Sequence, residues 1–421
     1  MKLFIENTLL NNTSTHILID DHRIAGIGAN LPMPANAMRI DGRGTAVLPA
    51  FANMHTHAAM SLLKGIGSDQ PLQQWLHESI WPAEQNMDEE AVYWGVKLAC
   101  LEMIKSGTTL FNDMYFHIPS ALQAVKEMGL RARLGINIFG DGTELTDALI
   151  DQLQEATGGL AEIAIAPHSI YTVTPRGLAH CAEMSQKYGT LYQIHMSETE
   201  HEVQECLETH GCRPYELLER LGVLQLTEGR FVGAHSLFLD DEEIALLARH
   251  RATVVHNPAS NLKLGSGYKF LYSELRAAGV NIALGTDGSA SSNSLDMIEA
   301  ARMMAYLQKG VRQDPTVLPA TELLEVATSN GFKALGIDAG KIEVGRLADL
   351  ILIDLNNIAF IPNHDTLSSL FYAANGSAID TVVCNGEILM QHRQVAGEEE
   401  IKQRARNINL LSHTRKGASA Q

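Results

Sequence analysis

Between residues 50 and 340 the chain repeats one pattern, in which a short apolar run precedes a longer segment whose apolar positions recur at helical spacing. This alternation is typical of βα units and a parallel sheet. The eight strand candidates are Val47–Met54, Thr109–Asp113, Arg133–Ile138, Ile163–Ala166, Leu191–Ile194, Phe231–Ala234, Thr253–Val255 and Asn281–Leu284. The clearest helix candidates between them are Ala91–Ser106, Ser120–Met128, Pro175–Tyr188 and Asp241–His250. Eight such units in about 290 residues predict an α/β fold, a (β/α)8 TIM-like barrel.

An open, doubly wound parallel sheet is the alternative architecture for the same pattern. Its dinucleotide-binding form carries a GxGxxG turn after the first strand. No such turn follows the first predicted strand here, which favours the barrel.

The two ends of the chain share a different sequence pattern, in which short β-rich runs are separated by Asn, Asp and Gly. These runs are Leu3–Ile5, His16–Ile19, Ile24–Ile27, Leu350–Leu355 and Thr381–Val383, with a partly helical stretch at residues 363–374. The first fifty residues alone have too little apolar surface for a domain. We therefore expect residues 1–49 and 341–421 to form one small, sandwich-like β domain, beside a barrel over residues 50–340.

Composition limits the classes of partner and compartment. The chain has 421 residues, 45% of them hydrophobic, and a net charge of −17 from 32 basic and 49 acidic residues. This charge predicts no nucleic-acid partner. No stretch approaches the roughly 18 apolar residues of a membrane span, so no membrane partner is predicted either. Five cysteines without a CxxC pair, and an N-terminus without a secretory pattern, predict a cytoplasmic protein. The oligomeric state stays open, including a homo-oligomer.

Two histidines, His55 and His57, end the first predicted strand. Residues i and i+2 of a strand point to the same face, so both imidazoles can reach one point. Neutral imidazole is the commonest metal ligand in proteins and suits Zn, Fe, Ni or Cu. An HxH pair alone is a weak motif, and two ligands do not hold a metal firmly. The remaining ligands are therefore expected at the ends of later strands.

Histidines and carboxylates do follow the later strands. They are Asp113, His168, His195, His235, His256 and Asp287. The carboxyl ends of barrel strands meet at one face, where TIM-barrel active sites lie. His195 as a nitrogen ligand and Asp287 as an oxygen ligand complete a site with His55 and His57. Three histidines and one carboxylate predict one divalent metal ion with an open position for water, with zinc favoured and iron or manganese as alternatives.

Two further residues are candidates for proton transfer at this site. A divalent ion lowers the pKa of bound water from about 16 towards about 7. Glu198, three residues after His195, could carry the proton, and His235 could orient or stabilise the hydroxide. A lone strand-end histidine is more often structural, and for His168 and His256 taken alone that interpretation is the stronger one. An ordered set on five strands is much harder to obtain by accident.

Four motifs stand at these strand ends: MHTH at 54–57, HMSE at 195–198, GAHS at 233–236 and LGTDG at 284–288. With them, and with a β domain split between both ends, the chain resembles the amidohydrolase superfamily over nearly its full length. Two-metal members of that superfamily carry a carbamylated lysine at the end of strand four. Here strand four reads EIAIAPHS and has no lysine. The resemblance therefore implies the one-metal branch, in which deaminases dominate.

Further stretches resemble the methylthioadenosine/S-adenosylhomocysteine deaminase group, near the s-triazine hydrolases. They are IWPAEQ at 80–85, APHSIYTV at 166–173, NPASNLKLGSG at 257–267 and GTDGSASSNSLDM at 285–297. The resemblance implies that Glu84 accepts hydrogen bonds from the ribose hydroxyls, that His168 contacts the purine, and that Trp75 packs on the 5′ substituent. The alternatives are a solvated acid at a helix end for Glu84 and a core position for Trp75.

One stretch departs from that group. Members that accept a homocysteine tail can bind its carboxylate with arginines after strand three, but residues 137–152 contain neither Arg nor Lys. An anionic tail would lose its bidentate partner. We therefore expect a preference for methylthioadenosine, 5′-deoxyadenosine or adenosine over S-adenosylhomocysteine.

The function implied is metal-dependent hydrolytic deamination of one of these four adenine nucleosides to its inosine analogue and ammonia. Hydroxide attacks C6, Glu198 protonates N1, and His235 and Asp287 help remove the water proton. One alternative is hydrolysis of another amidine-like ring, such as guanine, cytosine, a pterin or an s-triazine. The other is a non-catalytic barrel that acts as a scaffold, which the complete ligand set disfavours.

Overall fold

A computed structural model of the chain describes residues 2–410, which form sixteen β-strands. The strands are β1 (Lys2–Leu10), β2 (Thr13–Asp20), β3 (Arg23–Gly28), β4 (Met38–Asp41), β5 (Thr45–Pro49), β6 (Phe51–Thr56), β7 (Thr108–Tyr115), β8 (Arg131–Ile138), β9 (Ala161–Pro167), β10 (Leu191–Met196), β11 (Phe231–His235), β12 (Thr253–His256), β13 (Asn281–Leu284), β14 (Leu350–Asp354), β15 (Ile379–Cys384) and β16 (Glu387–Met390).

Helices connect and cover the strands. They are α1 (Leu72–Gln74), α2 (Trp81–Glu84), α3 (Glu89–Lys105), α4 (Ile118–Met128), α5 (Asp147–Ala156), α6 (Pro175–Tyr188), α7 (Glu200–His210), α8 (Pro214–Arg220), α9 (Val223–Leu226), α10 (Asp241–Arg249), α11 (Pro258–Lys263), α12 (Tyr272–Ala277), α13 (Ser289–Ser292), α14 (Met297–Arg312), α15 (Ala320–Ala327), α16 (Ser329–Ala334), α17 (Thr366–Tyr372) and α18 (Glu398–Asn407). Within residues 2–410, no helix is both long and apolar enough to cross a bilayer.

Strands β6 to β13 pair in chain order, each parallel to the next, and nearly close into a barrel. Nearly all of their residues are buried, because helices cover the outside of a parallel sheet and side chains fill its inside. The first and last strands meet through the Asp287 amide, which donates to the His55 carbonyl at 2.9 Å. The Asn53 side chain adds bonds to both the amide and the hydroxyl of Thr286. The predicted (β/α)8 barrel is confirmed.

The predicted first strand, Val47–Met54, is wrong as one element. The apolar run divides at Ala50 into β5, which pairs with β1 and β14, and β6, which pairs with β7 of the barrel. The Ala50 amide still donates to Asp349, whereas the Phe51 amide donates to Gly107. Both halves are buried, so hydrophobicity continues across the point where the hydrogen-bonding partners change.

The two ends of the chain form a second sheet of eight strands. Its order is β16-β15-β14-β5-β1-β2-β3, and β4 also pairs with β1. One face buries an aliphatic cluster that includes Leu3, Ile17, Val47, Leu350 and Leu352. Strands from both ends thus share one apolar core. The domain limits at residues 49/50 and 340/341 stay a prediction.

A buried ion pair joins this sheet to the barrel. Arg131, at the start of β8, donates from Nε and Nη2 to the two carboxylate oxygens of Asp349, at 2.8 and 3.1 Å. The Thr109 hydroxyl and the Asn385 amide donate to the same carboxylate. A buried charge is tolerated only when it is paired and hydrogen-bonded, and this carboxylate is both. The pair therefore fixes the position of β14 against the amino-terminal end of the barrel, away from the carboxyl ends of the strands.

Candidate metal centre and surrounding cavity

Four of the predicted side chains converge at the carboxyl ends of the barrel strands. Nε2 of His55 and Nε2 of His57 lie 3.5 and 3.3 Å from Oδ1 of Asp287. Nε2 of His195 lies 3.3 Å from Nε2 of His57. His55, His195 and Asp287 are buried, and His57 is nearly so. Three imidazole nitrogens and one carboxylate oxygen thus face one small volume.

Hydrogen bonds at the far side of two rings set their orientation. The Nδ1–H of His57 donates to the Met114 carbonyl at 2.6 Å, and that of His195 donates to the His168 carbonyl at 2.7 Å. A proton on Nδ1 leaves the Nε2 lone pair facing the cluster, as metal ligation requires. The buried Nε2 of His55 has no hydrogen-bond partner. These donors fit a divalent cation.

Charge at the cluster supports the same fit. Burial lowers the pKa of His55 to about 4 and lowers that of His195, so both rings are held in the neutral form that binds metals. Burial also opposes a charge on His57, but Asp287 outweighs it and raises the pKa of His57 to about 9. Burial would raise the pKa of Asp287, yet the neighbouring His55 and His57 rings hold it well below the usual range. The cluster therefore presents an ionised carboxylate, and a bound cation would displace the proton from His57.

The Asp287 carboxylate is held in place by the segment that follows it and by α11, which precedes it in the chain. Ser260 and Ser291 donate their hydroxyls to Oδ2 at 2.5 and 3.0 Å, and the Gly288 amide donates to Oδ1 at 2.7 Å. Asp287 itself has a φ of 61°, in the left-handed region that most residues avoid. The surroundings thus fix a strained residue with its carboxylate aimed at the histidines.

Glu198 and His235 lie beside the cluster. Oε2 of Glu198 is 3.7 Å from Nε2 of His235, and the Ser266 hydroxyl donates to Oε1 of Glu198 at 3.0 Å. The Asn261 amide donates to Nδ1 of His235 at 2.9 Å, which places the ring proton on Nε2, towards the site. Burial raises the pKa of Glu198, so its carboxyl keeps a proton to higher pH than an exposed glutamate does.

A cavity opens in front of these groups. Small-molecule sites are concave, with mostly apolar walls and a few polar groups, and this cavity has such a lining. Its polar lining includes His57, His195, Asp287, Glu198, His235, His168, Glu84 and Asn137. Its apolar lining includes Met60, Leu72, Trp75, Leu76, Ile80, Trp81, Phe116, Phe139 and Leu264. None of the described residues that line it is a lysine or an arginine.

Glu84 lies in the cavity wall at the end of α2, and it is half-buried. Burial raises the pKa of Glu84, and the nearby Tyr115 hydroxyl opposes that rise. The Tyr115 hydroxyl has no hydrogen-bond partner, so its effect on Glu84 is electrostatic. The alternative of a solvated acid at a helix end is therefore disfavoured, because the carboxyl faces the cavity.

His168 and Trp75 also line the cavity. The His168 ring stacks on Phe139, with centroids 5.0 Å apart and planes 23° apart, and burial lowers its pKa to about 3. Trp75 begins a π-helical turn, Trp75–Ile80, and is 4% exposed, with its indole N–H donating to the Ile66 carbonyl. Trp75 thus belongs to the core and the cavity wall at once.

His256 does not join the site. Its ring is fully buried and stacks on Phe270, with centroids 4.4 Å apart, and it does not line the cavity. Burial lowers the pKa of His256 to about 3, so the ring stays neutral in the core. The structural interpretation of this strand-end histidine therefore fits the structure.

Sequence reasoning missed several residues that hold the site together, namely Tyr115, Glu202, Ser260, Asn261, Ser266 and Ser291. Three of them lie in the NPASNLKLGSG stretch, which signalled a resemblance but no individual contacts. Glu202 lies three residues after Thr199, which is the spacing of a helix capping box. That spacing predicts a helix start and carries no signal for contacts with the preceding loop.

Known proteins resemble this chain along most of its length. The 5′-deoxyadenosine deaminase of Methanoregula boonei is 46% identical over 370 residues, which span 86% of this chain and 83% of that protein. The 5-methylthioadenosine/S-adenosylhomocysteine deaminase of Moorella thermoacetica is 43% identical over 390 residues, 90% of this chain and 90% of that one. Among solved structures, an adenosine deaminase from Xanthomonas campestris with bound zinc superposes with a TM-score of 0.88 at 32% identity, over 97% of this chain and 98% of that chain.

Residues 46–389 match the amidohydrolase family, and this range contains every residue of the cluster. The resemblance inferred from the four motifs is confirmed. Because the family match spans most of the chain and the relatives align over most of their own length, this chain belongs to the amidohydrolase family.

Proposed function

We propose that this protein is a cytoplasmic, metal-dependent deaminase that converts an adenine nucleoside to its inosine analogue and ammonia. The observation that carries the proposal is that Glu198 and His235 lie beside the cluster of His55, His57, His195 and Asp287, next to a cavity with polar and apolar walls. Relatives that are 46% and 43% identical act, by their names, on 5′-deoxyadenosine and on methylthioadenosine or S-adenosylhomocysteine. The partner proposed is a small-molecule nucleoside.

The metal is proposed to be held by His55, His57, His195 and Asp287. Members of the amidohydrolase family depend on a metal, and the Xanthomonas campestris neighbour contains zinc, so zinc is the ion we propose. A divalent ion held by three imidazoles and a carboxylate acts as a Lewis acid that makes water a nucleophile near neutral pH.

The side chains around the cluster supply the proton transfers. Water adds to C6 of the purine, Glu198 gives a proton to N1, and the ring can then accept the electron pair. Asp287 accepts a proton from the water, and His235, with its Nε2–H, donates a hydrogen bond to the oxygen on C6. Asp287 then passes its proton to the C6 amino group, the C6–N bond breaks, and ammonia leaves. The hydroxyl on C6 gives its proton to Glu198, which restores the acid, and the carbonyl of the inosine analogue forms.

A panel of nucleosides tests the proposed substrate class. We expect deamination of methylthioadenosine, 5′-deoxyadenosine and adenosine, and a kcat/KM for S-adenosylhomocysteine at least about tenfold lower than for these three. The zwitterionic homocysteine tail would enter a cavity that has no lysine or arginine among its described lining residues, and an unpaired charge taken from water costs about 1–3 kcal/mol or more. The measurement is inosine-analogue formation by chromatography on metal-loaded protein.

Guanine and cytosine serve as controls in the same panel, with ammonia release as the first screen. Faster release from either base than from every nucleoside would contradict the proposed substrate class. Equal kcat/KM for S-adenosylhomocysteine and methylthioadenosine would contradict only the exclusion of the charged tail.

Replacing Glu84 with glutamine should lower kcat/KM for 5′-deoxyadenosine about tenfold to a hundredfold, mainly because KM rises. An ionised carboxylate offers two acceptor oxygens to a ribose diol, and hydrogen bonds to a charged group contribute about 1.5–3 kcal/mol. A 2′-deoxyribose substrate is the matched probe, because the wild type should discriminate against it and the variant should not. Full discrimination by Glu84→Gln would place the diol elsewhere.

A further inference from the structure

The loop that carries Glu198 is held by a buried carboxylate that the proposed reaction does not use. Glu202 lies in the first turn of α7 and is 3% exposed. Its Oε1 accepts from the Ser197 amide at 2.7 Å, and its Oε2 accepts from the Glu198 amide at 2.8 Å. One carboxylate thus accepts from the backbone N–H of Glu198, which faces the cavity, and from that of the residue before it.

This arrangement goes beyond a helix cap. In a capping box the glutamate at the third helical position reaches back to the N–H of the capping residue, which here is Thr199. The Glu202 carboxylate reaches one and two residues further back along the chain. The Thr199 hydroxyl meanwhile accepts from the Glu202 amide at 3.1 Å, so the cap fixes the backbone of Glu202 while the loop contacts fix its carboxylate.

The loop needs such support because its backbone is strained. Ser197 is fully buried and has a φ of 48°, in the left-handed region that is costly for residues other than glycine. Its carbonyl accepts from the Leu237 and Phe238 amides, at 3.0 and 3.2 Å. With its amide on Glu202 and its carbonyl on the loop after β11, the peptide at Ser197 has a partner on both sides.

The direction of the Glu198 side chain depends on this peptide. The Glu198 carboxyl lies between the Ser266 hydroxyl and His235, and a small rotation of the backbone at Ser197 would carry it away from both. Misplacing a reacting group by about 1 Å can cost about a hundredfold in rate. We propose that Glu202 is a positioning residue, which holds the Ser197–Glu198 backbone so that the Glu198 carboxyl points at the reacting ring. This inference rests on the proposed function of Glu198.

The kinetic test is a double-mutant cycle on full-length, metal-loaded protein. Glu202→Gln keeps the shape but turns one acceptor into a donor that faces an N–H. It should lower kcat about tenfold to a hundredfold, with KM and metal content changed less than about twofold. In a Glu198→Gln background the same substitution should lower kcat less than about twofold, because it acts through Glu198. The matched control is Glu208→Gln, which removes an exposed acid from the same helix and should change nothing.

Additive losses in the cycle, or a loss of metal in Glu202→Gln, would overturn the proposal. Should Glu202→Gln fail to fold, Glu202→Asp keeps the charge but is too short to bond both amides, and it should show the same dependence on Glu198. Hydrogen exchange is a readout that requires no substrate. The amides of Ser197 and Glu198 should exchange faster in the Glu202 variant than in the wild type. In Glu208→Gln they should exchange at the wild-type rate. If wild-type protein deaminates no nucleoside, the proposed function fails, and unchanged exchange would separately overturn the hold of Glu202 on the loop.

Discussion

Replacing Glu198 with glutamine is expected to lower kcat for nucleoside deamination by about a hundredfold to ten-thousandfold, the range for removal of a general acid. Glutamine has nearly the same shape and can still accept from the Ser266 hydroxyl, but its amide cannot give a proton to N1. Burial raises the pKa of Glu198, which favours the protonated form that the reaction needs. KM and metal content should change little, because Glu198 is not among the four proposed ligands.

The measurement is steady-state ammonia release, with the metal content determined on the same samples. Glu200→Gln is the matched control, since it makes the same chemical change at an exposed position two residues along the chain. If the Glu198→Gln enzyme keeps more than about a tenth of the wild-type kcat, the loss is smaller than removal of a general acid causes. Another group would then have to transfer the proton.

The local sequence pattern was enough to predict that the four residues of the cluster lie together. His55 and His57 are two apart at a strand end, and His195 and Asp287 end later strands of the same barrel, so alternation and strand order predict that they meet. Their convergence in the structure requires only that the barrel closes in chain order, which the bonds between the first and last strands accomplish.

Local pattern was insufficient where the outcome depends on which element packs beside which. His168 and His256 both follow apolar strands, yet one faces the cavity and the other stacks on Phe270 in the core. The break at Ala50 is invisible for the same reason, because both halves of the run are buried and only their partners differ. Ser266 reaches Glu198 across 68 positions of sequence, and only the folded chain determines that contact.

Removal of the metal should abolish activity, with a loss of at least about a thousandfold, and should also lower stability. The donor atoms of His55, His57 and Asp287 lie within 4.8 Å of one another, and Nε2 of His195 lies 3.3 Å from that of His57. Nε2 of His55 has no hydrogen-bond partner. An ion that binds only the folded state stabilises it by about 4 kcal/mol when its free concentration is a thousand times Kd. We therefore expect chelator-dialysed protein to melt several degrees lower and to recover both Tm and kcat when zinc is added back.

The substitution that parallels chelation is His195→Ala, which removes one imidazole whose Nδ1–H donates to the His168 carbonyl. It should bind far less than one zinc per chain and should show neither the activity nor the zinc-dependent rise in Tm. His201→Gln, at an exposed position on α7, should bind zinc as the wild type does. Undiminished deamination by thoroughly chelated protein would remove the metal from the mechanism, whereas a full zinc content in His195→Ala would remove only His195 from the ligand set. The two experiments therefore separate the need for an ion from the identity of its ligands.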